Sequence, residues 1–124
     1  MIKAKHLVVV GLALAAIPLA AAASGDAQRG KVIYERCMGC HAIGYEVVGP
    51  DHAGLYGRKA GSLPDYDYSP GMRKAGWIWD EEHLDRFLTN PRAAVPGTKM
   101  GFAGIPDAGE RQDLIAYLKV ATRK

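Results

Sequence analysis

Both cysteines of this 124-residue chain fall inside one pentapeptide, Cys37-Met38-Gly39-Cys40-His41. With two cysteines and four histidines scattered at random, that arrangement would arise roughly once in two thousand trials, so the spacing asks for a chemical reason. Two thiols three residues apart near a helix end can reach both vinyl groups on one porphyrin edge and form two thioethers. The next residue then projects its imidazole onto the iron. This is the attachment signature of a c-type haem. A disulfide or thioredoxin-like redox pair is the competing use of Cys37 and Cys40, but such pairs follow a strand in a βαβ unit. No alternating strand pattern occurs in this chain. A zinc site would need a second ligand pair, and His52 and His83 stand alone.

The type of a further axial ligand separates electron carriage from binding of gas or peroxide. Thioether sulfur stabilises ferrous iron and raises the reduction potential. Met1 begins the chain and Met38 lies inside the motif, which leaves Met72 and Met100. Met100 ends the turn-rich run Pro96-Gly97-Thr98-Lys99-Met100, long enough to fold over one haem face. Met72 follows Ser69-Pro70-Gly71, at what reads as the start of a short helix. Spacing favours Met100 and leaves Met72 open.

The elements that must position these groups begin after an export signal. Met1 to His6 is short and basic, and Leu7 to Ala23 is uncharged and apolar with small residues at its end. Those are the parts of a cleavable signal peptide, expected to span residues 1–23, with residues 24–124 as the one domain. The competing reading is an uncleaved anchor. The alanine-rich composition, the interruption at Pro18 and the lack of a basic stop argue against it. Loss of Lys3 and Lys5 with the signal leaves 14 basic against 13 acidic side chains, so the formal +3 falls to +1. That balance excludes a nucleic-acid binder, which needs a clustered basic face. The 48% apolar content excludes disorder.

The remaining chain reads as helical. Asp26 is placed to cap a helix over Ala27 to Cys37, with Val32, Ile33, Arg36 and Cys37 at near-helical spacings and Gly30 and Tyr34 on the same side. Asp80 caps a helix to Thr89, which Asn90-Pro91 stops. Asp107 and Glu110 resemble a capping box ahead of the apolar stripe Leu114, Ile115, Tyr117, Leu118 and Ala121. Gly44–Asp65, Ser69–Gly76 and Pro91–Pro106 read as loops. Three short helices make a poor core, and a buried cofactor would supply the missing apolar contact.

These residues together resemble the class I cytochromes c, the soluble mitochondrial-type and bacterial carriers. The resemblance covers the whole chain after the signal. It rests on Gly25-Asp26, the Cys37–His41 motif, Gly49-Pro50, Gly54-Leu55-Tyr56-Gly57-Arg58, Trp77-Ile78-Trp79, Asn90-Pro91, Pro96–Met100 and Asp113–Leu118. It implies an all-α, single-domain fold of three main helices and long loops around one covalent haem c. By the same resemblance Cys37 and Cys40 are the thioether sites, His41 and Met100 the iron ligands, and the Pro50 carbonyl the acceptor for the other imidazole N–H. Arg58, Tyr68, Trp79 and Thr98 match positions that hold the haem propionates, and Phe102 matches an aromatic beside the haem. Gly30 and Tyr34 against Leu114 and Tyr117 match a crossing of the terminal helices.

Three departures stand out from the family pattern. Phe87 replaces a tyrosine that bonds the methionine sulfur, and Met72 replaces an asparagine. The ring of lysines around the haem edge is thin, with Lys31, Arg36, Arg92 and Lys99 as contributors. The resemblance implies a monomeric one-electron carrier, not an enzyme, in a bacterial periplasm. It would dock transiently through the haem edge and shuttle between a quinol-oxidising complex or dehydrogenase and an oxidase or photosynthetic reaction centre. A local basic patch, rather than net charge, is expected to guide those partners, and the membrane enters only if the signal is kept. A haem enzyme or sensor with labile Met100, and a haem-free thiol oxidoreductase, are the alternatives.

Overall fold

The computed structural model describes residues 1–16 and 25–124, so the expected cleavage near Ala23 lies outside the described residues. Residues 1–16 are exposed and carry no secondary structure. No helix among the described residues is long and apolar enough to cross a membrane. The helices are α1 (Ala27–Tyr34), α2 (Pro70–Lys74), α3 (Glu81–Thr89), α4 (Pro91–Ala94) and α5 (Ala108–Ala121). Among the described residues, extended pairing is limited to a single bridge between Lys59 and Ile78.

Helices this short do not hold themselves together, because the nucleating turn costs more than one hydrogen bond returns. Each one therefore starts on a side-chain cap. The Asp26 carboxylate accepts from the N–H groups of Gln28 and Arg29, Asp80 from His83, and Asp107 from Glu110. Ser69 and Asn90 cap α2 and α4 in the same way, each with proline in the first turn.

The three expected helices are present with corrections. The first ends at Tyr34 and tightens into a 3-10 turn over Glu35–Cys37. Val32, expected on its working face, is 64% exposed, and the buried positions are Gly30, Ile33 and Tyr34. Asn90-Pro91 ends α3 but also begins α4, because Asn90 is a good cap and proline tolerates the first helical position. The Ser69–Gly76 and Pro91–Pro106 stretches are thus not wholly loop. The expected capping box is half made: the Glu110 carboxylate takes two 3.0 Å hydrogen bonds from Arg36 instead of turning back to Asp107.

The crossing of α1 and α5 is the tightest packing in the fold. A β-carbon on Gly30 would overlap the Asp113 carbonyl and come within 2.8 Å of Tyr117 Cβ. Beside it, Tyr34 and Tyr117 rings lie 5.3 Å apart, and Leu114 is fully buried. Asp113 closes the crossing from the side. Its carboxylate accepts the Asp26 N–H at 2.7 Å and Arg29 Nε at 2.9 Å. The far end of α5 holds the loop after the motif, where the Tyr56 N–H donates to Thr122 Oγ1 at 3.1 Å.

Two outcomes follow from the crossing. Gly30→Ala gains about 1 kcal/mol in helix propensity but loses about 3 kcal/mol to overpacking against backbone. A net loss of about 2 kcal/mol is expected in denaturant unfolding of the holoprotein; an unchanged midpoint would contradict the tight crossing. The hydrogen bond from Arg29, with help from the Asp26 N–H, holds the Asp113 carboxyl below its usual range. A depressed carboxyl contributes stability above its unfolded pKa and loses it as pH falls through the folded one. Asp113→Asn should therefore flatten the acid side of the stability profile, measured by thermal melts across that range.

Candidate functional site

A cavity of about 360 Å³ lies between α5, α3 and the long loops. All nine residues singled out from the sequence line it: Cys37, Cys40, His41, Pro50, Arg58, Tyr68, Trp79, Thr98 and Met100. Phe87, Met72 and Phe102 line it as well.

The motif is a turn closed on Cys37, whose carbonyl accepts from the N–H groups of Cys40 at 3.1 Å and His41 at 2.9 Å. Cys37 is half-buried, Cys40 is exposed on the rim, and the His41 ring is buried. Gly49 and Val48 both donate their N–H to the Cys40 carbonyl, which clips the following loop against the motif. A β-carbon on Gly49 would overlap the His41 ring, so only glycine lets the loop pass so close. That passage sets the Pro50 carbonyl 3.0 Å from His41 Nδ1. A carbonyl only accepts, so Nδ1 carries the proton and Nε2 keeps a lone pair. Burial lowers the proton affinity of His41 despite the Pro50 contact, and the neutral ring is the form that ligates a metal.

Burial also pushes the Cys37 thiol up to about 11. A redox-active cysteine needs the opposite shift, because the thiolate is the nucleophile. The local environment therefore argues against Cys37 as an attacking thiolate.

The residues present fit a haem on an independent observation. Arg58 donates from Nη1 to the Ala53 carbonyl at 3.1 Å and from Nη2 to the Asp51 carbonyl at 3.0 Å, but its buried Nε has no partner. A buried, unpaired Nε on a half-buried guanidinium is costly unless an anion meets it, and a propionate would do so. Tyr68 Oη accepts from the Leu63 N–H at 3.3 Å, and Trp79 packs edge-on against Phe87 at 5.1 Å. Met100 is held by its N–H on Thr98 Oγ1 at 3.2 Å, whereas Met72 is buried on α2. The structure brings both methionines to the cavity.

Two features were not legible in the motifs. His52, set aside as a lone histidine, stacks on His41 with ring centres 4.0 Å apart and planes 16° apart. Burial, with smaller effects from His41 and Arg58, pushes its pKa down to about 3. Its place two residues after Pro50, on the loop that must pass His41, is the only sequence signal for this. The second feature is a latch across the mouth. Lys99, next to Met100, donates to both the carbonyl and the carboxylate of Asp67 at 2.8 Å, and Arg73 binds the same carboxylate at 3.0 Å. Lys99 and Arg36, two of the four cations expected around the haem edge, are thus ion-paired within the chain.

The family model for cytochrome c matches residues 27–122. The cytochrome c2 of Rhodomicrobium vannielii is 42% identical over 119 residues, covering 94% of this chain and 94% of its own. The cytochrome c of Euglena viridis is 47% identical over 98 residues, covering 77% of this chain and 96% of its own. The structure of cytochrome cH from Methylobacterium extorquens superposes with a TM-score of 0.74 at 42% identity, over 77% of this chain and 98% of that one.

The latch has a measurable consequence. Asp67→Ala frees Lys99 and Arg73 together, so the loop bearing Met100 should open more often. Added imidazole should then bind the ferric holoprotein several-fold faster at neutral pH, read by stopped-flow absorbance. An unchanged rate would show that the latch does not restrain the loop.

Proposed function

The chain belongs to the cytochrome c family and is an electron carrier with one covalently bound haem c; from that premise we propose how its own residues hold the group and where it works. Cys37 and Cys40 would form the thioethers, and His41 Nε2 and the Met100 sulfur would ligate the iron. Arg58, Tyr68, Trp79 and Thr98 hold the propionates. The observation that carries this assignment is the buried His41 ring, its Nδ1 proton committed to Pro50 at 3.0 Å on the lining of the cavity that Met100 shares.

When bound, the haem supplies an iron that gains and gives one electron. Gly49 and Pro50 fix the tautomer that leaves Nε2 free, and a hydrogen-bonded imidazole is a more basic ligand. Thioether sulfur favours the ferrous form and so raises the potential. With His41 and Met100 both holding the iron, no place would be left on it for a substrate. The apolar wall, which Phe87 makes drier than a tyrosine would, keeps water away and limits rearrangement on electron transfer. Cys40, exposed on the rim, sets the edge through which the electron passes.

After removal of residues 1–23 the protein works in the periplasm as a monomer. It meets its donor, a quinol-oxidising complex or dehydrogenase, and its acceptor, an oxidase or reaction centre, in transient encounters. With +1 on the mature chain and two propionates added, steering is local and weak.

The test combines mass and potential on protein isolated from a host that attaches haem. Intact mass should show residues 24–124 plus one haem; a haem-free product would sink the assignment of the cysteines. Met100→Ala should keep the haem and lower the potential by on the order of 0.1 V, within the roughly 0.8 V that axial ligands span. Loss of the ferric band at the red edge of the spectrum should accompany it. Should only Met72→Ala do this, Met72 is the ligand.

A further inference from the structure

His52 has no part in the ligation just described, yet it lies between the proximal histidine and the helix crossing. Its ring faces His41 at 4.0 Å and 16°. Its Nδ1 shares a 3.0 Å hydrogen bond with Tyr34 Oη, across 18 positions of sequence. The Tyr34 ring in turn packs on Tyr117 of α5 at 5.3 Å. Four rings therefore run in a row from α5 through α1 to the motif. The backbone of His52 is fixed as well, its N–H donating to Ala42 at 2.9 Å and its carbonyl accepting from Leu55 at 2.9 Å.

We propose that His52 is a positioning residue: it is the plate that sets the plane of the His41 imidazole, and Tyr34 anchors the plate. The physical need is specific. The second side-chain torsion of histidine has a broad minimum, so the backbone does not fix the ring plane. The Pro50 hydrogen bond restrains Nδ1 and, in the holoprotein, the iron would restrain Nε2, but neither contact by itself fixes the plane of the ring. A flat, nearly parallel ring at 4.0 Å blocks tilting of that plane over the whole face. An aliphatic residue would fill the volume, but it offers no plane and no bond to Tyr34. The plane of an axial imidazole decides which iron d orbital it overlaps, and so how unpaired spin is shared among the four haem methyl groups.

The proposal rests on His41 as the proximal ligand, which a low-spin ferric spectrum of the unaltered holoprotein checks separately. The experiment compares ferric holoproteins of the parent, Tyr34→Phe, His52→Leu and the double variant by proton NMR of the haem methyl groups. Haem content and thermal melts are measured alongside. His52→Leu should remain low-spin with one haem but change the spread of methyl shifts. Tyr34→Phe, which keeps both rings and removes one hydroxyl, should change it in the same sense and by less. The double variant should match His52→Leu, because the hydroxyl has nothing to anchor once the imidazole is gone. A methyl pattern that stays at the parent's while the melting temperature falls would make His52 core filling and overturn the proposal. Additive changes in the double variant would overturn the anchoring by Tyr34. Should His52→Leu not yield holoprotein, an unshifted pattern in Tyr34→Phe alone is sufficient to overturn it.

Discussion

The close passage of α1 over α5 at Gly30 is the constraint on which the other placements depend. The lack of a side chain there lets the two backbones touch, and the Asp113 carboxylate then ties the start of α1 to the flank of α5. Once that contact is made, Tyr34 is pinned against Tyr117 and the 3-10 turn that follows must deliver Cys37 to the cavity. Leu114 and Leu118 of α5 become the floor of the same cavity. The crossing thus fixes both a wall of the site and the segment that carries the two cysteines proposed to attach its occupant.

The loops are held by a different economy. With helices of 4 to 14 residues, little of the chain is secured by repeating hydrogen bonds. Single polar groups therefore secure several loops at once. Asp51 accepts from the N–H groups of Gly44 and Ala53 while its own carbonyl accepts from Arg58. The cost is a half-buried guanidinium, lowered in proton affinity by that burial and left with one unpaired nitrogen. A propionate on that nitrogen would supply the missing partner, and loop closure and cofactor binding would then support each other.

What could be read from the sequence was what local chemistry decides. The motif, the caps at Asp26, Asp80 and Asp107, and the apolar stripe of α5 each act within a turn or two of chain. All nine candidate site residues came from the motif and the family resemblance, and the structure gathers them around one cavity. The misses are non-local. Glu110 was expected to turn back on its own helix, but Arg36, 74 positions away, is a charged partner and draws it off. His52 and Asp67 gain their neighbours only when separate loops converge, across 18 and 32 positions respectively. Val32 misled because helical spacing defines a face without saying how wide the buried part is.

The same non-local pairing changes the surface argument. Counting cations places Lys31, Arg36, Arg92 and Lys99 around the haem edge, but Arg36 and Lys99 are already turned toward Glu110 and Asp67. Exposed pairs of this kind contribute little stability each. Their effect on the field is larger, since each converts a monopole into a short dipole whose potential falls off faster with distance. On the proposed docking through the haem edge, long-range steering would rest mainly on Lys31 and Arg92, and close docking on shape and the apolar side chains of Val47 and Val48, both exposed. Such a balance would serve a carrier that must leave each partner quickly, because weak steering limits affinity and an exposed rim would keep the proposed electron path short.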